Sequence, residues 1–183
     1  FNLGDITFQN INFSFGKKKI FEDLNLIIKK NSILGISGDS GSGKSTLINI
    51  LLGLLKLDKG KLLIDNLDIE DSLDQWQKSI GYVSQNIFLL DTTLKENIAF
   101  GIPLEKINYD ELNRVIEYAN LTDFVQNLSN GLDTNIGEKG SKISGGQIQR
   151  IAIARELYQK PSVLILDEAT TGLDKKTEIQ IFK

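Results

Sequence analysis

The chain has 183 residues and a mass of 20.4 kDa, with 40% hydrophobic and 25% charged residues, which suits one globular domain with a full core. Its 21 Lys plus Arg against 24 Asp plus Glu give a net charge of -3, which offers no electrostatic footprint for non-specific nucleic-acid binding. Cys and His are both absent, which excludes disulfides, thiolate nucleophiles, Cys- or His-ligated metals and Ser-His-Asp chemistry within these residues.

Ile6 and Phe8, then Ile11, Phe13 and Phe15, alternate with polar residues and predict a strand. Gly16-Lys17-Lys18-Lys19 predicts a solvated turn, and Leu24, Leu26 and Ile28 resume the alternation, so an N-terminal antiparallel β region is expected. Residues 32–37 (SILGIS) predict a short, nearly all-apolar strand, followed by a helix over 46–55. Residues 62–65 and 80–84 predict further short strands. Between 93 and 130, Leu112, Val115, Ile116 and Ala119 recur at helical spacing and predict a helical lobe. Residues 131–146 read as loop and 147–159 as helix; 163–166 predict a buried strand ending in Asp167-Glu168. Strands alternating with helices predict a mostly parallel sheet covered on both faces. The longest apolar stretch, residues 47–55, is broken by Asn49 and Gly53 and falls short of the ~20 residues of a membrane span. The first residues do not resemble a signal peptide, and both ends read as cut: no initiator Met, and a stop within a helical pattern.

Gly38-Asp39-Ser40-Gly41-Ser42-Gly43-Lys44-Ser45 fits G-x-x-x-x-G-K-S, the Walker A pattern, with strand, loop and helix predicted in the required order. Polyphosphate needs many inward N–H donors, glycines let the backbone approach, and a helix N-terminus adds free N–H groups and a positive dipole end. Lys44 is placed to reach the β- and γ-phosphates, and the Ser45 hydroxyl to ligate Mg²⁺, a hard cation. Val163-Leu164-Ile165-Leu166-Asp167-Glu168 has the form of a Walker B strand. Asp167 would then serve the Mg²⁺ shell, and Glu168, beside the γ-phosphate, would polarise the attacking water.

Ile143-Ser144-Gly145-Gly146-Gln147 matches the LSGGQ signature of ATP-binding cassette (ABC) proteins, with Ile for Leu, and the stretch from Gln149 to Arg155 continues in the family's manner. The sequence therefore resembles the nucleotide-binding domain of an ABC transporter. Thr93-Leu94-Lys95-Glu96-Asn97-Ile98-Ala99-Phe100-Gly101 and Thr134-Asn135-Ile136-Gly137-Glu138-Lys139-Gly140 resemble segments of the exporter type. The resemblance implies a P-loop NTPase (RecA-like) α/β core with a mostly parallel sheet, an N-terminal antiparallel β region and an inserted helical subdomain. It implies one ABC ATPase domain over 1–183, with 1–85 and 156–183 forming the β region and core and 86–155 the helical subdomain with the signature.

The resemblance also assigns roles. Phe15 matches the aromatic that stacks on adenine, where the family usually has Tyr. Nucleotide contacts are implied for Phe15, Gly38, Asp39, Ser40, Gly41, Ser42, Gly43, Lys44, Ser45, Thr46, Gln85, Ser144, Gly145, Gly146 and Gln147. Ser45, Gln85 and Asp167 are implied in the Mg²⁺ shell. Glu168 is the implied catalytic base, assisted by Lys44 and by Gln85 of the Q-loop. Thr171-Gly172-Leu173-Asp174 resembles the D-loop, with Thr-Gly replacing Ser-Ala. The family's switch histidine has no counterpart here and is expected beyond Lys183. The implied function is ATP binding and hydrolysis, with ATP and Mg²⁺, that powers export across a membrane. Two cassettes close head to tail, each signature meeting the other's γ-phosphate. Expected partners are a second cassette and transmembrane domains in the same longer chain, with no nucleic acid, at the cytoplasmic face of the membrane. An importer subunit or a non-transport ABC ATPase is the alternative. Only three Arg (Arg114, Arg150 and Arg155) argue against a small-molecule P-loop kinase, and the Asp167-Glu168 pair argues against a nucleotide sensor without turnover.

Overall fold

The computed structural model describes residues 4–137 and 143–168. The chain forms two compact units, Phe1–Ile80 and Gly81–Lys183.

The first unit is built on strands β1 (Ile6–Phe15), β2 (Lys18–Ile28), β3 (Lys59–Ile64) and β4 (Leu67–Asp68), in the order β2-β1-β3-β4 and antiparallel throughout. Ile6, Phe8, Ile11 and Phe13 of β1 and Leu62 and Ile64 of β3 are buried. The three-residue step from Phe8 to Ile11 breaks strict alternation, and the ladder shifts register there against both neighbours. A bulge at Asn10 (φ 49°) restores the apolar face. Asn10 and Asn25 bond each other across the strands, as do Asn12 and Asp23, which replaces the ladder bonds lost at the irregularity. Helix α1 (Lys44–Leu51) follows, ending earlier than expected. A 3-10 turn over Ile69–Ser72 leads into α2 (Leu73–Lys78), which the sequence did not announce. Its Trp76 is 1% exposed, and Nε1 donates to the Leu51 carbonyl at 2.7 Å, which ties α2 to the end of α1.

The strand expected over residues 32–37 is not observed. These residues form neither helix nor strand among the described residues, and Ile33, Leu34 and Ile36 are exposed. An apolar run of this kind suits a strand flanked on both edges and covered on both faces. The described residues provide no ladder for it.

In the second unit β5 (Ile80–Val83) and β6 (Val163–Leu166) pair in a two-stranded parallel sheet. β6 is half-buried along its length, not fully buried as expected. Between them lie α3 (Leu94–Ile98), α4 (Tyr109–Tyr118), α5 (Thr122–Gln126) and α6 (Gly145–Tyr158). The helical lobe thus forms as expected, and α6 begins two residues before the expected start. The α6 start has a physical cause: Ser144 Oγ accepts the Gln147 N–H and Gln147 Oε1 accepts the Ser144 N–H, a complete capping box. Leu94, Ile98, Leu112, Val115, Ile151 and Ala154 bury the faces on which α3 and α4 meet α6. Among the described residues no helix is long and apolar enough to cross a membrane.

Candidate functional site

The first unit carries the phosphate loop. Gly41 and Gly43 have φ of 79° and 99°. At Gly43 a Cβ would also come within 3.1 Å of Ile20 Cγ2 and Phe21 Cζ, so this position requires glycine twice over. Gly43 precedes α1, and no side chain caps that helix. Its first N–H groups are therefore open to an anion. Lys44 folds back along the loop: Nζ donates to the carbonyls of Gly38 (2.7 Å) and Asp39 (2.9 Å). Ser40, Ser42 and Ser45 are exposed and Thr46 is half-buried. Phe15 lies at the end of β1, 53% exposed, with Phe13 packed edge-on at 4.9 Å.

The second unit carries the carboxylates. The Asp167 N–H donates to the Val83 carbonyl at 2.9 Å, which extends the β5–β6 pairing to the end of β6. The Tyr82 hydroxyl donates to Asp167 Oδ2 at 3.1 Å, and Gln85 Nε2 donates to Glu168 Oε2 at 2.6 Å. Two donors from β5 and its continuation thus hold two successive carboxylates. Burial, together with the Asp167 carboxylate, pushes the Tyr82 hydroxyl above its usual range and keeps it a donor at neutral pH. Glu168 is exposed and has a φ of 54°, a left-handed conformation uncommon for a non-glycine residue. Its carboxylate therefore projects from a sharply turned backbone. Ser144, Gly145, Gly146 and Gln147 form the first turn of α6, with Ser144 and Gln147 engaged in the capping box. The D-loop residues Thr171, Gly172, Leu173 and Asp174, and residues 138–140 of the exporter-like stretch, lie outside the described residues.

The sequence offered no chemical role for the exporter-like stretches, and the structure joins them. Thr93 and Asn135 form an antiparallel bridge, the Leu94 N–H donates to Thr134 O at 3.0 Å and the Ile136 N–H donates to Thr92 O at 3.2 Å. Asn97, fully buried, binds the Leu90 backbone on both sides, and Arg155 of α6 reaches Asn97 O (2.7 Å), Phe88 O (2.9 Å) and Asn97 Oδ1 (3.1 Å). The guanidinium also covers the Phe100 ring at 5.1 Å. Arg155 thereby fastens the chain after the Q-loop to the helix that starts at the signature.

Each unit carries oxygen donors of the chemical kind that suits Mg²⁺. The Ser45 hydroxyl, Gln85 amide oxygen and Asp167 carboxylate are hard oxygen ligands. Mg²⁺ in phosphate sites takes one or two carboxylates and completes its shell with phosphate oxygens, water and other hard oxygen donors.

An uncapped helix start behind a Gly-Lys-Ser loop, and a strand ending in two held carboxylates, define the chain as a P-loop nucleotide triphosphatase in build. The family model of the ABC transporter matches residues 21–171, and the chain belongs to that family. It is 42% identical over 176 residues to the ATP-dependent lipid A-core flippase of Francisella novicida, covering 96% of this chain and 30% of the flippase. The flippase of Ralstonia nicotianae is 40% identical over 182 residues, covering 97% and 31%. ABC transporter B family member 17 of Arabidopsis thaliana is 44% identical over 179 residues, covering 96% and 14%. A solved bacterial Atm1-family ABC exporter with ATP bound superposes with a TM-score of 0.89 at 36% identity, covering 98% of this chain and 32% of the exporter. The chain therefore spans under a third of the length of these relatives and corresponds to their nucleotide-binding portion.

Proposed function

We propose that this chain is the cassette that binds and hydrolyses ATP for an exporter-type ABC transporter. It closes head to tail on a second cassette at the cytoplasmic face of a membrane and drives membrane-spanning segments of the same longer protein. The observation that carries the reading is the β5–β6 edge, where Tyr82 and Gln85 hold Asp167 and Glu168 side by side. The exporter assignment is supported by the relatives and by the bridge between the two exporter-like stretches. On this reading the core sheet is the mostly parallel RecA-like one.

The residues divide the work. Phe15 stacks on the base. Gly38 to Thr46 wrap the phosphates, and Lys44 exchanges the Gly38 and Asp39 carbonyls for phosphate oxygens. Ser45, Gln85 and Asp167 hold Mg²⁺, which when bound neutralises charge on the phosphates. Glu168 orients a water and accepts its proton. Gln85 Nε2 donates to that carboxylate and so ties the Q-loop to the proposed base. Ser144, Gly145, Gly146 and Gln147 offer the α6 N-terminus to the nucleotide of the second cassette.

The test is ATP binding and turnover in the full-length protein. Glu168→Gln is expected to keep ATP affinity, cut turnover by at least about 100-fold and trap a closed dimer. Lys44→Ala is expected to remove ATP binding. Undiminished hydrolysis by Glu168→Gln, or unchanged affinity in Lys44→Ala, would falsify the assignment.

A further inference from the structure

Tyr82 lies three residues before the Q-loop glutamine, within a strand, and no sequence motif includes it. Its surroundings fix it from three sides. Its backbone N–H donates to Glu156 Oε2 of α6 at 3.2 Å. The preceding Gly81 is buried so tightly that a Cβ there would come within 3.0 Å of Pro161 Cγ, 3.1 Å of Glu156 Cβ and 3.2 Å of Leu164 Cδ1. Its hydroxyl ends on Asp167 Oδ2 at 3.1 Å. Each contact is made by another protein group.

We infer that Tyr82 is a positioning residue for the Walker B carboxylate: its hydroxyl pins Oδ2 of Asp167, fixes the carboxylate's rotation, and presents Oδ1 to the divalent cation. The inference rests on the proposed function of Asp167. A carboxylate at a strand end rotates freely unless something holds it, and partners of this kind typically tune metal affinity by 10- to 100-fold. Water serves an exposed carboxylate in the same way, but without a fixed direction. Glu156 adds a link to α6, the helix that opens at the signature: it holds the β5 backbone from which the Tyr82 ring projects.

The test uses the full-length protein with ATP and Mn²⁺ as a spectroscopic stand-in for Mg²⁺. Mn²⁺ binding is followed by electron paramagnetic resonance at saturating ATP, and ATP affinity is measured separately in EDTA. Tyr82→Phe keeps the ring and removes only the hydroxyl. We expect it to weaken Mn²⁺ binding about 10-fold and to leave metal-free ATP affinity unchanged. The half-saturating Mg²⁺ for hydrolysis should rise by the same factor, with kcat restored at high Mg²⁺. Unchanged Mn²⁺ affinity overturns the inference. So does a loss of ATP affinity that is equal with and without metal, because that is a structural defect. Asp167→Asn separates the two readings: if it too leaves Mn²⁺ binding untouched, the functional assignment of Asp167 fails. If Asp167→Asn weakens binding and Tyr82→Phe does not, only the Tyr82 inference fails.

Discussion

Replacing Asn97 by Ala tests how the segment after the Q-loop is fastened to the signature helix. The Asn97 side chain has 0% exposure to solvent. Its Nδ2 donates to Leu90 O (3.0 Å), Thr93 O (3.1 Å) and Thr92 Oγ1 (3.2 Å), while Oδ1 accepts from the Leu90 N–H (2.9 Å) and Arg155 Nη2 (3.1 Å). Alanine leaves the Leu90 amide and one guanidinium N–H without those acceptors and the Leu90 carbonyl without its donor. A buried polar group left unsatisfied costs about 1–3 kcal/mol. Partial relaxation brings the local loss to about 3–5 kcal/mol, near the top of the range for single substitutions. Asn97→Asp keeps the acceptor for both the Leu90 N–H and Arg155 and adds attraction to Arg155, but turns a carboxylate oxygen toward the Leu90 and Thr93 carbonyls. It should cost less, about 2 kcal/mol. Hydrogen exchange in the full-length protein reads this locally, over peptides spanning 88–100 and 150–158. At 1.4 kcal/mol per decade, 3 kcal/mol is about 100-fold faster exchange in those peptides for Asn97→Ala. Less than fivefold acceleration, or acceleration spread equally over β1 to β3, refutes the reasoning.

Two half-buried or buried carboxylates should show opposite pH dependence. Burial raises the Glu156 pKa, so the folded state keeps a proton that the unfolded chain has lost. Its ionisation therefore lowers stability as pH rises from about 4.5 toward neutrality, and Glu156→Gln, which keeps an acceptor for the Tyr82 N–H, should gain melting temperature over the parent across that window. The Arg114 bond, then the Lys160 bond, lower the Glu111 pKa, so its contribution is present above about 4.5 and fades as pH falls through the depressed value. Glu111→Gln should lose about 2 kcal/mol near pH 7 and converge on the parent in acid; parallel melting curves for either pair would contradict the sign. Trp76→Phe removes the donor to Leu51 O and leaves a void, for a loss of about 2 kcal/mol or roughly 4–8 °C in melting temperature. Gly43→Ala forces a strained backbone and a contact with Ile20 and Phe21, so ATP affinity should drop at least about fivefold by nucleotide titration; equal affinity would remove the steric argument.

Local chemistry was legible in the sequence and long-range pairing was not. The step from Phe8 to Ile11 marks a bulge because one inserted residue flips every later side chain to the other face. Ser144 and Gln147, three apart, mark the α6 start by the capping-box rule, which would have corrected the expected start at 147. Residues 32–37 announce a wish for burial, but their apolar character cannot say which strands lie beside them, and the described residues supply none. Trp76 gave no periodic signal because α2 is a helix of only six residues, tied to the end of α1 by side-chain bonds from Trp76 to Leu51 O and from Gln77 to Leu52 O. Tyr82 was invisible for the same reason as the bridge from Thr93 to Asn135: its partner lies 85 positions away, and only the β5–β6 register brings them together.

The two helix N-termini that the proposed function offers to phosphate are prepared differently, and on that reading the difference sets an order. The start of α1 has no side-chain cap, and its glycines are already in the conformation the loop requires. An anion there needs only to draw Lys44 Nζ from the Gly38 and Asp39 carbonyls. The start of α6 is self-satisfied: Ser144 Oγ and Gln147 Oε1 are both spent on the helix's own N–H groups. An anion that uses the Ser144 N–H or hydroxyl must first break part of that box, which stabilises a helix by about 1 kcal/mol. The phosphate loop is thus ready to bind on first encounter, while the signature end engages only when further contacts supply the difference. On the proposed function those contacts would come from a second cassette closing over the nucleotide. On the proposed function the phosphates of ATP are therefore taken first by the loop before α1, and the added affinity of the α6 end for a closed pair of cassettes is what closure would convert into work.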